Sequence, residues 1–168
     1  MSRRFRWLSF HVLCLALLGG CQSDPARKPV GKAFPAFAYP SPGSTSLVTS
    51  SGLRGGPALV VFWATWCAPC QEEVGELRQV LAKFGPKGLH IVGLSVDETP
   101  AAVPLLVAKL DIPYPVATGA LPLFDSLKLE SLPQSFLLDG QGKVVESFTG
   151  AVPAQAFEQA IEKLLASK

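Results

Sequence analysis

The stretch VVFWATWCAPCQEEV, residues 60–74, places two cysteines between an apolar run and a segment with helical spacing. The apolar run is continuous and rich in β-branched and aromatic residues, which is typical of a strand buried on both faces. Beyond it, Pro69 suits a first helical turn, and apolar residues then recur every three or four positions as far as Phe84. The sequence therefore predicts a buried strand that passes directly into a helix, with Cys67 and Cys70 at the junction.

The rest of the chain alternates between strand and helix patterns. LHIVGLSV predicts a second buried strand, YPVAT a short one, and QSFLLD and VVESFTG two strands joined by a Gly-rich turn. Helices are predicted in ETPAAVPLLVAKL, where Pro104 should delay the start, in ALPLFDSLKL and in the final amphipathic segment. The prolines of FPAFAYPSPG favour extended edge structure. Together these patterns predict an α/β fold with a mixed sheet covered by helices on both faces.

The N-terminal segment has the form of an export signal. Residues 1–20 combine three arginines with an apolar run of about a dozen residues, shorter than the roughly 20 that a permanent membrane helix needs. The run ends in LLGGC, which resembles the lipobox of bacterial lipoproteins, in which Cys21 would carry lipid. The alternative is ordinary cleavage of the signal without lipidation. Residues 21–33 then predict a polar tether, and residues 34–168 the folded domain. The expected location is extracytoplasmic, with the domain anchored to a membrane.

The charge of the mature chain excludes one class of partner. Without residues 1–20, 12 Lys and Arg stand against 13 Asp and Glu, a net charge of −1 in place of the +2 of the whole chain. A near-neutral chain without a basic cluster gives no reason to expect nucleic-acid binding.

The cysteine count narrows the chemistry. Cys14 would leave with the signal and Cys21 would carry lipid, so Cys67 and Cys70 are the thiols of the mature chain. A zinc site needs about four ligands and a copper site further soft or imidazole ligands, whereas His90 is the one histidine beyond the signal. A purely structural disulfide across so short a loop would stabilise the fold by only about 2 kcal/mol. The pair is therefore interpreted as a redox dithiol.

The two thiols are expected to have different roles. A helix N-terminus favours a thiolate through its dipole and its free N–H groups. Cys67 is predicted to be exposed and to attack a disulfide, whereas Cys70, one turn into the helix, is predicted to be buried and to resolve the mixed disulfide.

Three segments carry a resemblance to a known family. FWATWCAPCQEEVGEL, GLSVDE and SLPQSFLLDGQGKVV resemble the thioredoxin-like, membrane-anchored TlpA/ResA-type thiol–disulfide oxidoreductases, over residues 34–166. The resemblance implies a thioredoxin fold with an N-terminal β extension and a cis-proline facing the dithiol. Pro133 would be that proline, and the backbone of Leu132 would pair with an extended substrate segment.

The resemblance also implies roles for two residues beside the dithiol. Glu73 matches an acidic residue that the family places near the pair, where it would exchange a proton with Cys70. The alternative is an exposed glutamate favoured by the helix dipole. Trp66 would shield one side of the pair, whereas Trp63 is assigned to the core. Thioredoxin itself keeps an aspartate at the position held here by Val61.

The function implied is the reduction of disulfides in partner proteins, of the cytochrome c or copper-site maturation type. Re-reduction would come from a membrane electron donor, no cofactor is expected, and the expected form is a monomer.

Gln134 and Ser135 depart from the Thr-Thr common in the family, beside the expected substrate groove. Two alternatives remain: a peroxiredoxin-type peroxidase, which needs Thr at the position of Ala64, and a copper chaperone, which typically has one more residue between its cysteines.

Overall fold

The computed structural model describes residues 30–167, so the predicted signal, Cys21 and most of the predicted tether lie outside the described residues. Seven strands and four α-helices follow one another along this part of the chain, with short 3₁₀ turns at Ser50–Leu53, Gly85–Lys87 and Pro100–Ala102. In chain order they are β1 (Ala38–Pro40), β2 (Leu47–Thr49), β3 (Ala58–Trp63), α1 (Ala68–Phe84), β4 (His90–Ser95), α2 (Val103–Lys109), β5 (Val116–Ala117), α3 (Leu121–Ser126), β6 (Gln134–Leu138), β7 (Val144–Thr149) and α4 (Ala154–Ala166).

The predicted mixed sheet is confirmed. Five strands form it in the order β5-β4-β3-β6-β7, with β3 at the centre. β3 runs parallel to β4 and antiparallel to β6, and every residue of β3 is buried. The unbroken apolar run of this strand follows from its position, because both of its faces and both of its edges are covered.

Aromatic side chains fill the core on one face of the sheet. The ring of Phe62 in β3 lies 6.2 Å from that of Phe136 in β6 and 5.8 Å from that of Phe124 in α3. Phe34, ahead of β1, packs 5.5 Å from Phe136. The N-terminal extension predicted by the family resemblance is the antiparallel hairpin β1-β2, which the Thr118 N–H joins to the main sheet through the carbonyl of Pro40.

Helix α1 buries the apolar stripe that its sequence predicts, including Val74, Leu77 and Val80. The α-helix ends at Phe84, as expected, but the chain does not reverse there. A 3₁₀ turn continues to Lys87, and the reversal falls at Gly88, whose φ of 86° lies in the left-handed region that favours glycine.

Proline delays the next helix, as predicted. Pro100–Ala102 form a 3₁₀ turn, and α2 begins only at Val103, so Pro104 lies in its first turn. There the missing N–H of Pro104 removes no helical hydrogen bond.

The final residues of the predicted tether contact the domain. The N–H of Gly31 donates to the carbonyl of Val144 at 2.8 Å, and the N–H of Val144 donates to the carbonyl of Lys32 at 2.9 Å. In the part of the chain that the structure describes, Gly31 and Lys32 of the predicted tether thus already bond to β7. Within residues 30–167, no helix has both the length and the hydropathy that crossing a membrane requires.

Candidate active site

The two cysteines form a disulfide at the junction of β3 and α1. Cys67 is the N-cap residue of α1 in extended conformation, and Pro69 lies in the first turn. The N–H of Cys70 points to the sulfur of Cys67, with an N···Sγ distance of 3.3 Å. A donor of this kind stabilises negative charge on the Cys67 sulfur once the disulfide is opened.

The prediction that Cys67 is exposed is wrong for this disulfide form. Its exposed fraction is 6%, barely above the 4% of Cys70, because its sulfur is turned over the first turn of its own helix. The two residues nevertheless differ in position, since Cys67 is among the residues that line a surface groove and Cys70 is not.

The groove has a volume of about 930 Å³ and an apolar wall beside the disulfide. Trp66, Leu121, Phe124 and Leu132 contribute to this wall, and 70% of Trp66 is exposed. An exposed indole beside a reactive sulfur can contact a bound polypeptide at little cost in conformational entropy.

The groove is acidic. Asp97, Glu98 and Glu130 line it, and none of the described residues that line it is Lys, Arg or His.

The peptide bond between Leu132 and Pro133 is cis, as the family resemblance implies. Leu132 is half-buried and lines the groove, whereas Pro133 is buried and does not line it. The carbonyl of Pro133 accepts the N–H of Gly150 at 2.8 Å, which ties the start of β6 to the end of β7.

Gln134 and Ser135 do not lie where the sequence suggested. Both are buried in β6, and neither lines the groove. The side chain of Gln134 bonds to β7 instead, donating to the carbonyl of Phe148 at 2.8 Å and accepting from the hydroxyl of Thr149 at 3.0 Å. These departures from the family pattern therefore alter the interior of the sheet, not the groove.

Glu73 is buried, with 2% of its surface exposed, so the alternative of an exposed glutamate at the helix start is wrong. It lies three residues after Cys70, on the same face of α1. Its Oε1 accepts the N–H of Val152 at 3.1 Å, and the neighbouring Glu76 accepts the N–H of Ala154 at 2.8 Å. Both carboxylates thus hold the start of α4 against α1.

Burial raises the pKa of Glu73 from 4.5 to about 7; the Val152 N–H lowers it and the charge of Glu76 raises it. Within residues 30–167, Oε2 of Glu73 has no hydrogen-bond partner. A buried carboxyl with a pKa near neutrality can hold or release a proton under ordinary conditions.

Comparison with known proteins agrees with this geometry. The sequence profile of the Redoxin family matches residues 29–165. This chain belongs to the Redoxin family. It is 31% identical to the thiol-disulfide oxidoreductase ResA of Bacillus cereus over 95% of each chain. It is 34% identical to the thiol:disulfide interchange protein DsbE of Pseudomonas fluorescens, over 88% of this chain and 86% of that one.

Solved structures give the fold. A thiol:disulfide interchange protein of the thioredoxin family from Chlorobium tepidum superposes with a TM-score of 0.70 at 26% identity, covering 80% of this chain and 96% of that one. StoA from Bacillus subtilis superposes with a TM-score of 0.63 at 16% identity, covering 76% and 96%. The Redoxin-family chain therefore has the thioredoxin fold, within the TlpA/ResA-type group, and is a thiol–disulfide oxidoreductase.

Two residues of the site escaped the sequence reasoning. Asp97 is buried beside the groove and accepts hydrogen bonds from Thr65 and Ser95, and Gln71 donates to the carbonyl of Thr65. The available signal for Asp97 was its place two residues after the end of β4, because polar residues that follow parallel strands meet at one edge of a sheet.

The raised pKa of Glu73 predicts how stability depends on pH. Below about pH 4.5, Glu73 is protonated in both the folded and the unfolded chain. As the pH rises to about 7, the unfolded chain releases this proton first, so the free energy of unfolding falls by about 3 kcal/mol. Glu73→Gln cannot titrate and can keep an acceptor toward Val152. We expect urea unfolding of the oxidised variant to show a smaller loss of stability between pH 5 and pH 8 than the parent.

The matched control is Glu72→Gln, an exposed neighbour on the same helix. It should retain the pH dependence of the parent. Parallel curves for the parent and Glu73→Gln would show that Glu73 does not titrate in this range.

Proposed function

We propose that this protein reduces disulfides in partner proteins, with Cys67 as the attacking thiol. The Cys67 thiolate displaces one sulfur of the partner's disulfide and forms a mixed disulfide, and the released sulfur takes up a proton. Cys70 then attacks the sulfur of Cys67, which releases the second partner sulfur as a thiol and leaves the Cys67–Cys70 disulfide. The observation that carries the proposal is that Cys67 lines the groove, at a helix N-terminus, while Cys70 lies behind it.

The groove supports binding of an extended segment next to Cys67. Within residues 30–167, the backbone N–H and carbonyl of Leu132 have no hydrogen-bond partner, so both can pair with a partner strand. These groups precede the cis bond to Pro133, and Trp66 lines the same groove. Trp66, Leu132 and Pro133 are the proposed substrate-binding residues.

Glu73 is the proposed proton-exchanging group for Cys70. It is buried, it shares a helix face with Cys70, and its pKa of about 7 lies close to working pH. In the resolving step it would accept the proton that the Cys70 thiol must lose before attack.

The proposed setting is extracytoplasmic, in the periplasm or cell envelope. Residues 1–20 would direct export, and lipid on Cys21 would hold the monomeric domain at the membrane through residues 21–33. A membrane electron donor would return the disulfide to the dithiol. Proteins whose cysteines must be reduced before they take haem or copper, as in cytochrome c or copper-site maturation, are the proposed partners.

The reduction potential of the Cys67–Cys70 pair tests the proposed direction of electron flow. We expect a value at or below about −270 mV, the level of thioredoxin, because a reductant needs a lower reduction potential than the disulfide that it reduces. The measurement is equilibration of the oxidised domain in thiol buffers of graded potential. A value near about −120 mV, that of a strong oxidant, would reverse the direction and make the protein a disulfide donor.

Single cysteine variants test the order of attack. Cys70→Ser should accumulate a mixed disulfide with a disulfide-bearing peptide, because serine cannot release the partner. Cys67→Ser is the matched control and should form none at the same peptide concentration. Mass spectrometry of the adducts gives the answer, and an adduct formed by Cys67→Ser alone would exchange the two roles.

Membrane anchoring is tested on the full chain expressed in a bacterium. Cys21→Ser should move the protein from the membrane fraction to the soluble fraction, because it removes the proposed acylation site. Cys14→Ser, inside the predicted signal, should leave the protein in the membrane fraction. Membrane retention of a Cys21→Ser variant whose signal has been cleaved, as judged from its mass, would rule out anchoring through this residue.

A further inference from the structure

The turn from β3 into α1, residues 64–67, carries both Cys67 and the exposed Trp66. Its geometry depends on how its peptide groups are held, because a turn outside regular structure has no ladder of its own. The turn is closed by one local hydrogen bond, from the N–H of Cys67 to the carbonyl of Ala64 at 3.1 Å. Two side chains from outside the turn hold the N–H and the carbonyl of Thr65.

The first of these side chains is Asp97. Both of its oxygens lie within reach of the N–H of Thr65, at 3.1 and 3.0 Å, and Oδ1 also accepts the hydroxyl of Thr65 at 2.6 Å. The hydroxyl of Ser95 donates to Oδ2 at 2.8 Å and accepts the N–H of Asp97 at 3.2 Å. Asp97 is 6% exposed, so these contacts are charge-assisted hydrogen bonds largely shielded from water.

The second side chain is Gln71, one turn into α1. Its Nε2 donates to the carbonyl of Thr65 at 2.7 Å, while its own N–H bonds to the carbonyl of Cys67 at 3.2 Å. The peptide group between residues 64 and 65 is thus held at its N–H by Asp97 and at its carbonyl by the N–H of Cys67. The next peptide group, which leads into Trp66, is held at its carbonyl.

We infer that Asp97 and Gln71 are positioning residues for the thiol–disulfide reaction, because together they fix both backbone groups of Thr65 and so hold Cys67 and Trp66 in place at the groove. The side chain of Asp97 reaches Thr65 from the end of β4, and that of Gln71 reaches it from α1. The inference rests on the proposed function in one respect, that Cys67 is the attacking thiol.

The arrangement has a chemical consequence. A thiolate must meet the partner's disulfide in line with its S–S bond, and a displacement of about 1 Å can cost two orders of magnitude in rate. The Cys67 sulfur is aligned by the N–H of Cys70 on its helix side. Asp97 and Gln71 supply the constraint on the other side, along the chain that enters the helix.

The test measures attack by Cys67 alone, in a Cys70→Ser background, as the rate of mixed-disulfide formation with a disulfide-bearing peptide. We expect Thr65→Val, which keeps the size of the side chain but removes the hydroxyl, to slow this rate about tenfold. Thr65→Ser retains the hydroxyl and should stay within about twofold of the parent. Gln71→Met, which removes the donor to the Thr65 carbonyl, should also slow attack about tenfold.

A double-mutant cycle shows whether Asp97 acts through Thr65. Asp97→Ala should slow attack at least as much as Thr65→Val, and the double variant should be no slower than Asp97→Ala alone, since both changes remove one interaction. Fully additive losses would overturn the inference. If Asp97→Ala does not fold, two comparisons remain: the rate of Thr65→Ser against that of Thr65→Val, and the rate of Gln71→Met against that of the parent. Parent-like rates for both Thr65→Val and Gln71→Met would then overturn the inference.

Thr118→Val is the matched control. The hydroxyl of this threonine also donates a hydrogen bond, here to the carbonyl of Pro40 at 3.3 Å, but Thr118 does not line the groove. It should change thermal stability without changing the rate of attack.

A Thr65→Val variant that is less stable yet attacks at the parent rate would show a merely structural role. Absence of any mixed disulfide in the parent background would instead refute the proposed function.

Discussion

The structure depends on the passage of one fully buried strand into a helix. β3 is covered on both faces and paired on both edges, so its end is fixed by the whole sheet. Helix α1 starts five residues after that end, at Ala68, with Cys67 as its N-cap. The Cys67 sulfur therefore sits at the N-terminus of the helix that follows the central strand, next to helix N–H groups that favour a thiolate.

The neighbours of β3 bring the rest of the site to the same edge. β4 runs parallel to it, so the end of β4 lies beside the end of β3, with Ser95 opposite Trp63, and places Asp97 next to the turn. β6 runs antiparallel, so its start lies there too, with Gln134 opposite Phe62, and places Leu132 and the cis bond on the groove. A mixed sheet is what allows a strand end and a strand start to meet beside one helix N-terminus.

Two buried carboxyl groups, Asp97 and Glu73, differ in how far their hydrogen-bonding capacity is met. Both oxygens of Asp97 accept hydrogen bonds from Thr65 and Ser95, so this group orders the backbone around it. One oxygen of Glu73 bonds to Val152 and the other has no partner among the described residues, and burial raises the pKa of this group to about 7. The first arrangement favours rigidity, and the second favours exchange of a proton.

The sequence alone determined the central strand and helix, the alternating strand and helix order, the late start of α2 and the assignment of the cysteine pair to redox chemistry. These features are local: apolar periodicity, proline and cysteine spacing act over a few residues. Tertiary structure decided the rest. Glu73 is buried because α4 packs beside α1. Cys67 is covered because the disulfide places its sulfur against the first turn of α1. Asp97 meets Thr65 because β4 lies parallel to β3. Contacts between residues some 30 or more positions apart are set by the pairing of whole elements, for which no single stretch of sequence carries the information.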